Sequence, residues 1–156
     1  MNGVYTKLEK DNVLRLLLKF DIVALYEVKT NLRVSLPGFI PYRSTTMASH
    51  RGGTILFVHK SLRRCITHID TSVQDQVWLH LTVLGAIMLG FCYVPPSDSP
   101  YYDPSSFSSI QEKVKSYEEQ GMSVALLGDI NARFGGSVRD IPRSANIPDA
   151  HRYTYR

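Results

Sequence analysis

The chain has 156 residues, of which 44% are hydrophobic and 21% charged, and a formal net charge of +4. These values fit one globular domain with a real core and exclude a disordered or low-complexity polymer. Two cysteines, Cys65 and Cys92, are too few for a disulfide framework, and no apolar run approaches the length of a membrane span. The start, Met1-Asn2-Gly3-Val4-Tyr5-Thr6-Lys7, lacks the apolar stretch of a secretory signal. The expected setting is therefore intracellular, nucleus or cytoplasm, with no membrane and no secretion. The positive balance is compatible with a polyanionic partner without requiring one.

Asp11 is the N-cap of a first helix whose inner face is Val13, Leu14, Leu17 and Leu18. Residues 21–26 form a buried strand that ends on Glu27, and residues 28–50, with Pro37-Gly38, Pro41 and many Ser and Thr, read mostly as loop. Gly52-Gly53 opens the strand Thr54-Ile55-Leu56-Phe57-Val58, and Lys60-Ser61-Leu62-Arg63-Arg64 is a basic connector. Val77, Leu79, Leu81 and Val83 alternate with Trp78, His80 and Thr82, which predicts a strand of period two. A turn at Leu84-Gly85-Ala86 leads into residues 87–93 and makes a hairpin. Asp103 caps and Pro104 opens a second helix with Phe107, Ile110, Val114 and Tyr117 on one face; Gly121 ends it. After Gly135-Gly136 the span 137–156 has few aliphatics, two prolines and several Arg, and reads as a poorly ordered or extended tail. The elements define an α/β (α+β) chain with a mixed rather than doubly wound parallel sheet.

Gly128-Asp129-Ile130-Asn131-Ala132-Arg133 is the most informative stretch. It follows the apolar run Val124-Ala125-Leu126-Leu127 and presents a carboxylate and a carboxamide two residues apart at a strand end. In α/β sheets ligands bind at the carboxyl ends of strands. The strand of residues 21–26 delivers Glu27 in the same way. Two buried strands that carry acids to their ends point to a hard divalent cation, which takes oxygen ligands. A strand cap or a surface salt bridge is the competing reading for each acid taken alone.

A third segment, Phe91-Cys92-Tyr93-Val94-Pro95-Pro96-Ser97-Asp98-Ser99-Pro100, is a strand running into a Pro-rich turn. With it, five blocks stand in a familiar order: Asn2-Gly3, Glu27-Val28-Lys29-Thr30, Arg51-Gly52-Gly53, Tyr93-Val94-Pro95-Pro96 and Gly128-Asp129-Ile130-Asn131. The ordered set resembles the endonuclease/exonuclease/phosphatase superfamily. Within it, residues 1–136 are similar to the apurinic-type endonuclease domains of non-LTR (LINE-type) retrotransposons. The resemblance implies an incomplete four-layer sandwich, two packed mixed β-sheets flanked by helices, as a partial domain over 1–136 ahead of the tail. It implies a metal-dependent, DNA endonuclease-like phosphodiesterase using Mg2+ or Mn2+, with DNA as partner and no obligate protein partner to infer.

By the same resemblance Glu27 is the metal-ligating glutamate, and Asn2 occupies a place beside the metal. Asp129 matches the aspartate that orients or deprotonates the attacking water. Asn131 matches an amide that hydrogen-bonds the scissile phosphate, and Tyr93 a tyrosine whose hydroxyl contacts it. Arg51 and Arg133 are candidate nucleic-acid contacts, with a solvated basic edge as the alternative. The chain departs from the pattern at both ends. A Trp-Asn pair that precedes the Asn-Gly block in relatives is absent, and so is a Ser-Asp-His motif two strands beyond the Asp129 strand. Asp149-Ala150-His151 lies too near Asp129 to replace it. These departures predict a truncated, catalytically impaired domain, since a general acid–base group typically contributes ~10²–10⁴-fold in rate. The alternative is a non-catalytic nucleic-acid- or protein-binding remnant of that domain.

Overall fold

The computed structural model describes residues 11–29, 34–45, 52–82 and 85–131. Helix α1 (Asp11–Leu17) leads into three strands, β1 (Ile22–Lys29), β2 (Phe39–Arg43) and β3 (Gly52–His59). They pair antiparallel in the order β1-β3-β2. A short 3-10 helix (Lys60–Cys65) then crosses to a second sheet of β4 (Ile66–Asp70), β5 (Gln76–Leu81), β6 (Ile87–Tyr93) and β7 (Ser123–Asp129). Its order is β4-β5-β6-β7, antiparallel except for the parallel pair β6–β7. Helix α2 (Ser105–Glu119) makes the crossover that a parallel pair requires. Among the described residues no helix is long and apolar enough to cross a membrane.

Alternation along the strands sets the layers. On β3, Ile55 and Phe57 face outward with Val23, Val28 and Phe39, where Leu14 and Leu17 of α1 cover them. Leu56 and Val58 face inward and meet Val77, Leu79, Leu81 and Phe91 of the second sheet. On the far side of that sheet Trp78, Met88 and Cys92 pack under Ile110 and Tyr117 of α2. Two packed sheets between outer helices are the sandwich expected. Trp78 is fully buried; its ring lies against Tyr117, centroids 5.4 Å apart, and its Nε1 donates to Gln76 Oε1 at 3.0 Å. Gly90 leaves the space for that ring, because a Cβ there would lie 2.5 Å from it.

Several local expectations change. Residues 28–50 are not mainly loop: they hold the end of β1 and the whole of β2. Pro41 sits inside β2, which is tolerable because β2 is the outer strand of its sheet and Pro removes a ladder donor only where none is needed. Beyond the basic connector lies β4, a strand the pattern did not suggest. Leu18 is 41% exposed rather than on the inner face of α1, since the helix ends one residue before it. Phe107 is 40% exposed although it shares a stripe with buried Ile110 and Tyr117. The helix starts at Ser105 with Pro104 in the cap position, one residue later than expected, and Asp103 just ahead of it accepts from Ser105 N at 2.8 Å and Ser105 Oγ at 2.7 Å. The span 137–156 lies outside the described residues.

Candidate active site

Strict alternation on β1 turns Ile22 and Ala24 toward the second sheet and Val23 and Leu25 toward α1. Continued unchanged, it would turn position 27 toward α1. The strand does not end at Glu27 as expected; it runs to Lys29 and bulges instead. Leu25 pairs with Ile55 and Val28 with Gly53, so Tyr26 and Glu27 together oppose Thr54 alone. Val28 takes the buried outer position, and Glu27 is released to the mouth between the sheets, where the Tyr93 hydroxyl donates to its Oε1. The local cost is backbone strain, since Glu27 has φ +57°, in the left-handed region that side chains with a Cβ disfavour.

The second sheet supplies the other groups at the carboxyl ends of its parallel pair. Tyr93 ends β6 and Asp129 ends β7, and the two are partners in register. The Asp129 carbonyl accepts from Val94 N at 2.9 Å. Asn131 takes φ +43°; its backbone N–H donates to Asp129 Oδ1 at 3.3 Å and its Nδ2 to Val94 O at 3.0 Å. The amide is thereby fixed between the two strand ends. Glu27, Tyr93, Asp129 and Asn131 thus stand at one mouth. Asn2, Arg51 and Arg133 lie outside the described residues.

Two residues that the sequence reading passed over belong here. The Tyr26 ring stacks on that of Tyr93, centroids 6.3 Å apart, and its hydroxyl donates to Leu127 O at 3.4 Å. Asp75 is buried just before β5 with φ +57°, and its carbonyl accepts from Tyr93 N at 3.0 Å and from Thr54 Oγ1 at 3.1 Å. An acid at the entrance of the apolar strand Val77-Trp78-Leu79 is the signal that would have marked it.

Electrostatically the mouth is negative. Burial, then the hydrogen bond to Glu27, then the charges of Glu27, Asp129 and Asp75 push the Tyr93 hydroxyl far above its usual range. Tyr26 is raised to about 12 by burial first and by Cys92 and Asp129 next. Both phenols are therefore neutral donors at physiological pH. Among the described residues no three His, Cys, Asp or Glu side chains form an all-protein metal cage. The oxygen donors are instead Glu27, hydrogen-bonded to Tyr93, and Asp129, in register with Tyr93. Such a set fits a hard divalent cation that takes one or two carboxylates and fills its remaining positions with water and substrate phosphate.

No family model and no curated protein matches the sequence. Solved structures do match. A truncated TDP2 from Caenorhabditis elegans aligns with a TM-score of 0.56 at 18% identity, over 85% of this chain and 57% of that one. ANGEL2, a 2′,3′-cyclic phosphatase, aligns with a TM-score of 0.58 at 15% identity, over 83% of this chain and 45% of that one. The chain shares the two-sheet fold of these two structures. The chain spans about half the length of these structures. At such identities the likeness concerns the fold, and the chemistry rests on this chain's own residues.

Proposed function

We propose that the chain is a metal-dependent phosphodiesterase domain, DNA endonuclease-like and of the type carried by non-LTR retrotransposons. The observation that supports it most is the hydrogen bond from Tyr93 to Glu27 across two sheets, with Asp129 in register beside it. Phosphodiester hydrolysis needs a positioned water, neutralised phosphoryl charge and a stabilised leaving group. Glu27 would hold a divalent cation such as Mg2+, which would supply the charge neutralisation when bound. Tyr93 spends its one hydroxyl hydrogen on the Glu27 carboxylate and so orients it. Asp129 holds the attacking water and accepts its proton. Asn131 spends one amide hydrogen on Val94 O and keeps a second for the phosphate.

Turnover is expected to be slow. His80 pairs with Met88, five residues before Tyr93 on β6, which places it roughly 17 Å from the mouth along the strand. His59 accompanies Asp21 at the other end of β1. Neither stands where it can relay a proton. DNA as substrate follows the resemblance to the retrotransposon domains; a 2′,3′-cyclic phosphate is the competing substrate, because ANGEL2 is a phosphatase for that group. The test is nicking of supercoiled DNA with Mg2+, alongside hydrolysis of a 2′,3′-cyclic nucleotide. Glu27→Gln and Asp129→Asn should each lower the metal-dependent rate by ~10²-fold or more. Turnover unaffected by either substitution, or by chelation, would refute the assignment.

A further inference from the structure

The tie between Asn131 and Val94 also forms one wall of a cavity. It has a volume of about 560 Å3 and lies between the Pro-rich turn after β6, the start of α2 and the end of β7. Val94 and Ile130 line it together with the rings of Tyr102 and Phe107, and Asp98 and Asn131 add polar groups. Its size suits a small-molecule site. Phe107 explains itself here: it lies on the buried stripe of α2, yet remains 40% exposed as part of this wall.

We propose that this cavity is a nucleobase subsite, which takes the base of a nucleotide adjoining the phosphate bound at Asn131. The proposal rests on the phosphodiesterase reading and names the substrate group next to its reacting bond. Three features select a base. Aromatic rings open to solvent offer a stacking face, and every base has a π-face to meet it. Asn131 borders both the cavity and the mouth, so a chain held at its amide runs directly from one to the other. Asp98 brings a negative charge that disfavours a second phosphate here and turns the sugar–phosphate backbone away. An ionised carboxylate only accepts hydrogen bonds. It therefore favours the exocyclic amine of adenine or cytosine over the carbonyl at the corresponding position of uracil or thymine.

The test uses the full chain, without metal and without phosphate, so that it does not depend on hydrolysis. Methyl resonances of Val94 and Ile130 are followed during titration with adenosine, uridine, ribose and benzyl alcohol. Adenosine should give saturable ring-current shifts at both residues and bind roughly tenfold more tightly than ribose. Phe107→Ala should abolish that preference and Phe107→Trp should keep it, which separates stacking from a folding defect. Asp98→Asn should narrow the preference for adenosine over uridine and leave the part due to stacking. No saturable shift with adenosine would overturn the proposal. So would shifts that survive Phe107→Ala, or equal binding of benzyl alcohol, which would mark a general aromatic cleft. Failure of the nicking assay leaves these shifts untouched, so the two readings fail separately.

Discussion

Gly128, one residue before Asp129, is where a single methyl group should do most damage. Its φ is +153°, and a Cβ built there would lie 1.9 Å from the Cys92 carbonyl oxygen, 2.9 Å from the Cys92 carbonyl carbon and 3.1 Å from its nitrogen. All three are backbone atoms of β6, so no rotamer change relieves the contact. Gly128→Ala must push β7 off β6 by roughly 1 Å or more to regain an ordinary van der Waals separation. That movement weakens the ladder bonds around Cys92–Gly128 and Tyr93–Asp129, at about 1 kcal/mol each. Overpacking adds about 1–3 kcal/mol, for a total near 3–5 kcal/mol. Gly121→Ala is the control, because Gly121 has φ +78° with nothing within 4 Å of a Cβ. It should cost only the left-handed preference, about 1 kcal/mol. Urea unfolding followed by fluorescence of Trp78, the one tryptophan in the sequence, measures both. Equal midpoints for the two variants would refute the steric argument.

Three further outcomes can be checked. Tyr93→Phe removes the bond to Glu27 and should cost about 1 kcal/mol in unfolding free energy, yet lower Mg2+-dependent turnover by ~10²-fold; an unchanged rate would remove the hydroxyl from the mechanism. Burial alone would raise the Asp70 carboxyl, but hydrogen bonds from Lys113 and Ser72 and the Lys113 charge outweigh it and hold the group well below the usual carboxylate range. A depressed folded pKa stabilises above the unfolded value of about 3.9 and loses that stability as pH falls below it. Lys113→Met should therefore cost about 1–3 kcal/mol near pH 7, in a gap that narrows progressively below about pH 4, as read by urea titrations at several pH values. Burial raises the Cys92 thiol to about 12, so iodoacetamide at pH 8 should modify half-buried Cys65 and spare Cys92 until the chain is unfolded, with peptide mass mapping as the readout.

What could be read from residue order divides along physical lines. The β5–β6 hairpin and α2 were legible because Val77, Leu79 and Leu81 keep period two and Ile110, Val114 and Tyr117 keep the helical period. Strand β2 was hidden by Pro41, whose missing donor matters only in a central strand. Strand β4, Ile66-Thr67-His68-Ile69-Asp70, has only two aliphatic residues and owes its state to pairing with β5. Glu27, Asp129 and Asn131 stood out because polar side chains follow apolar runs directly. The bulge that aims Glu27 was not legible, since it appears only when the register of β1 against β3 is known. Tyr26 was missed because it reaches Tyr93 through ring stacking, which leaves no spacing to recognise; Asp75 acts through its backbone carbonyl, and its one trace in the sequence is an acid ahead of an apolar strand.

The mouth joins two sheets that close over different stretches of chain. The β1–β3 and β2–β3 ladders link strands within the first 59 residues, whereas β6 and β7 pair across the whole of α2. Trp78 lies wholly on the α2 side of the second sheet. A refolding chain in which that sheet and its helix have assembled first would therefore recover native emission while Glu27 still has no Tyr93 to meet. Fluorescence would then run ahead of the site, and the interval between returned emission and returned metal binding would time the docking of one sheet onto the other.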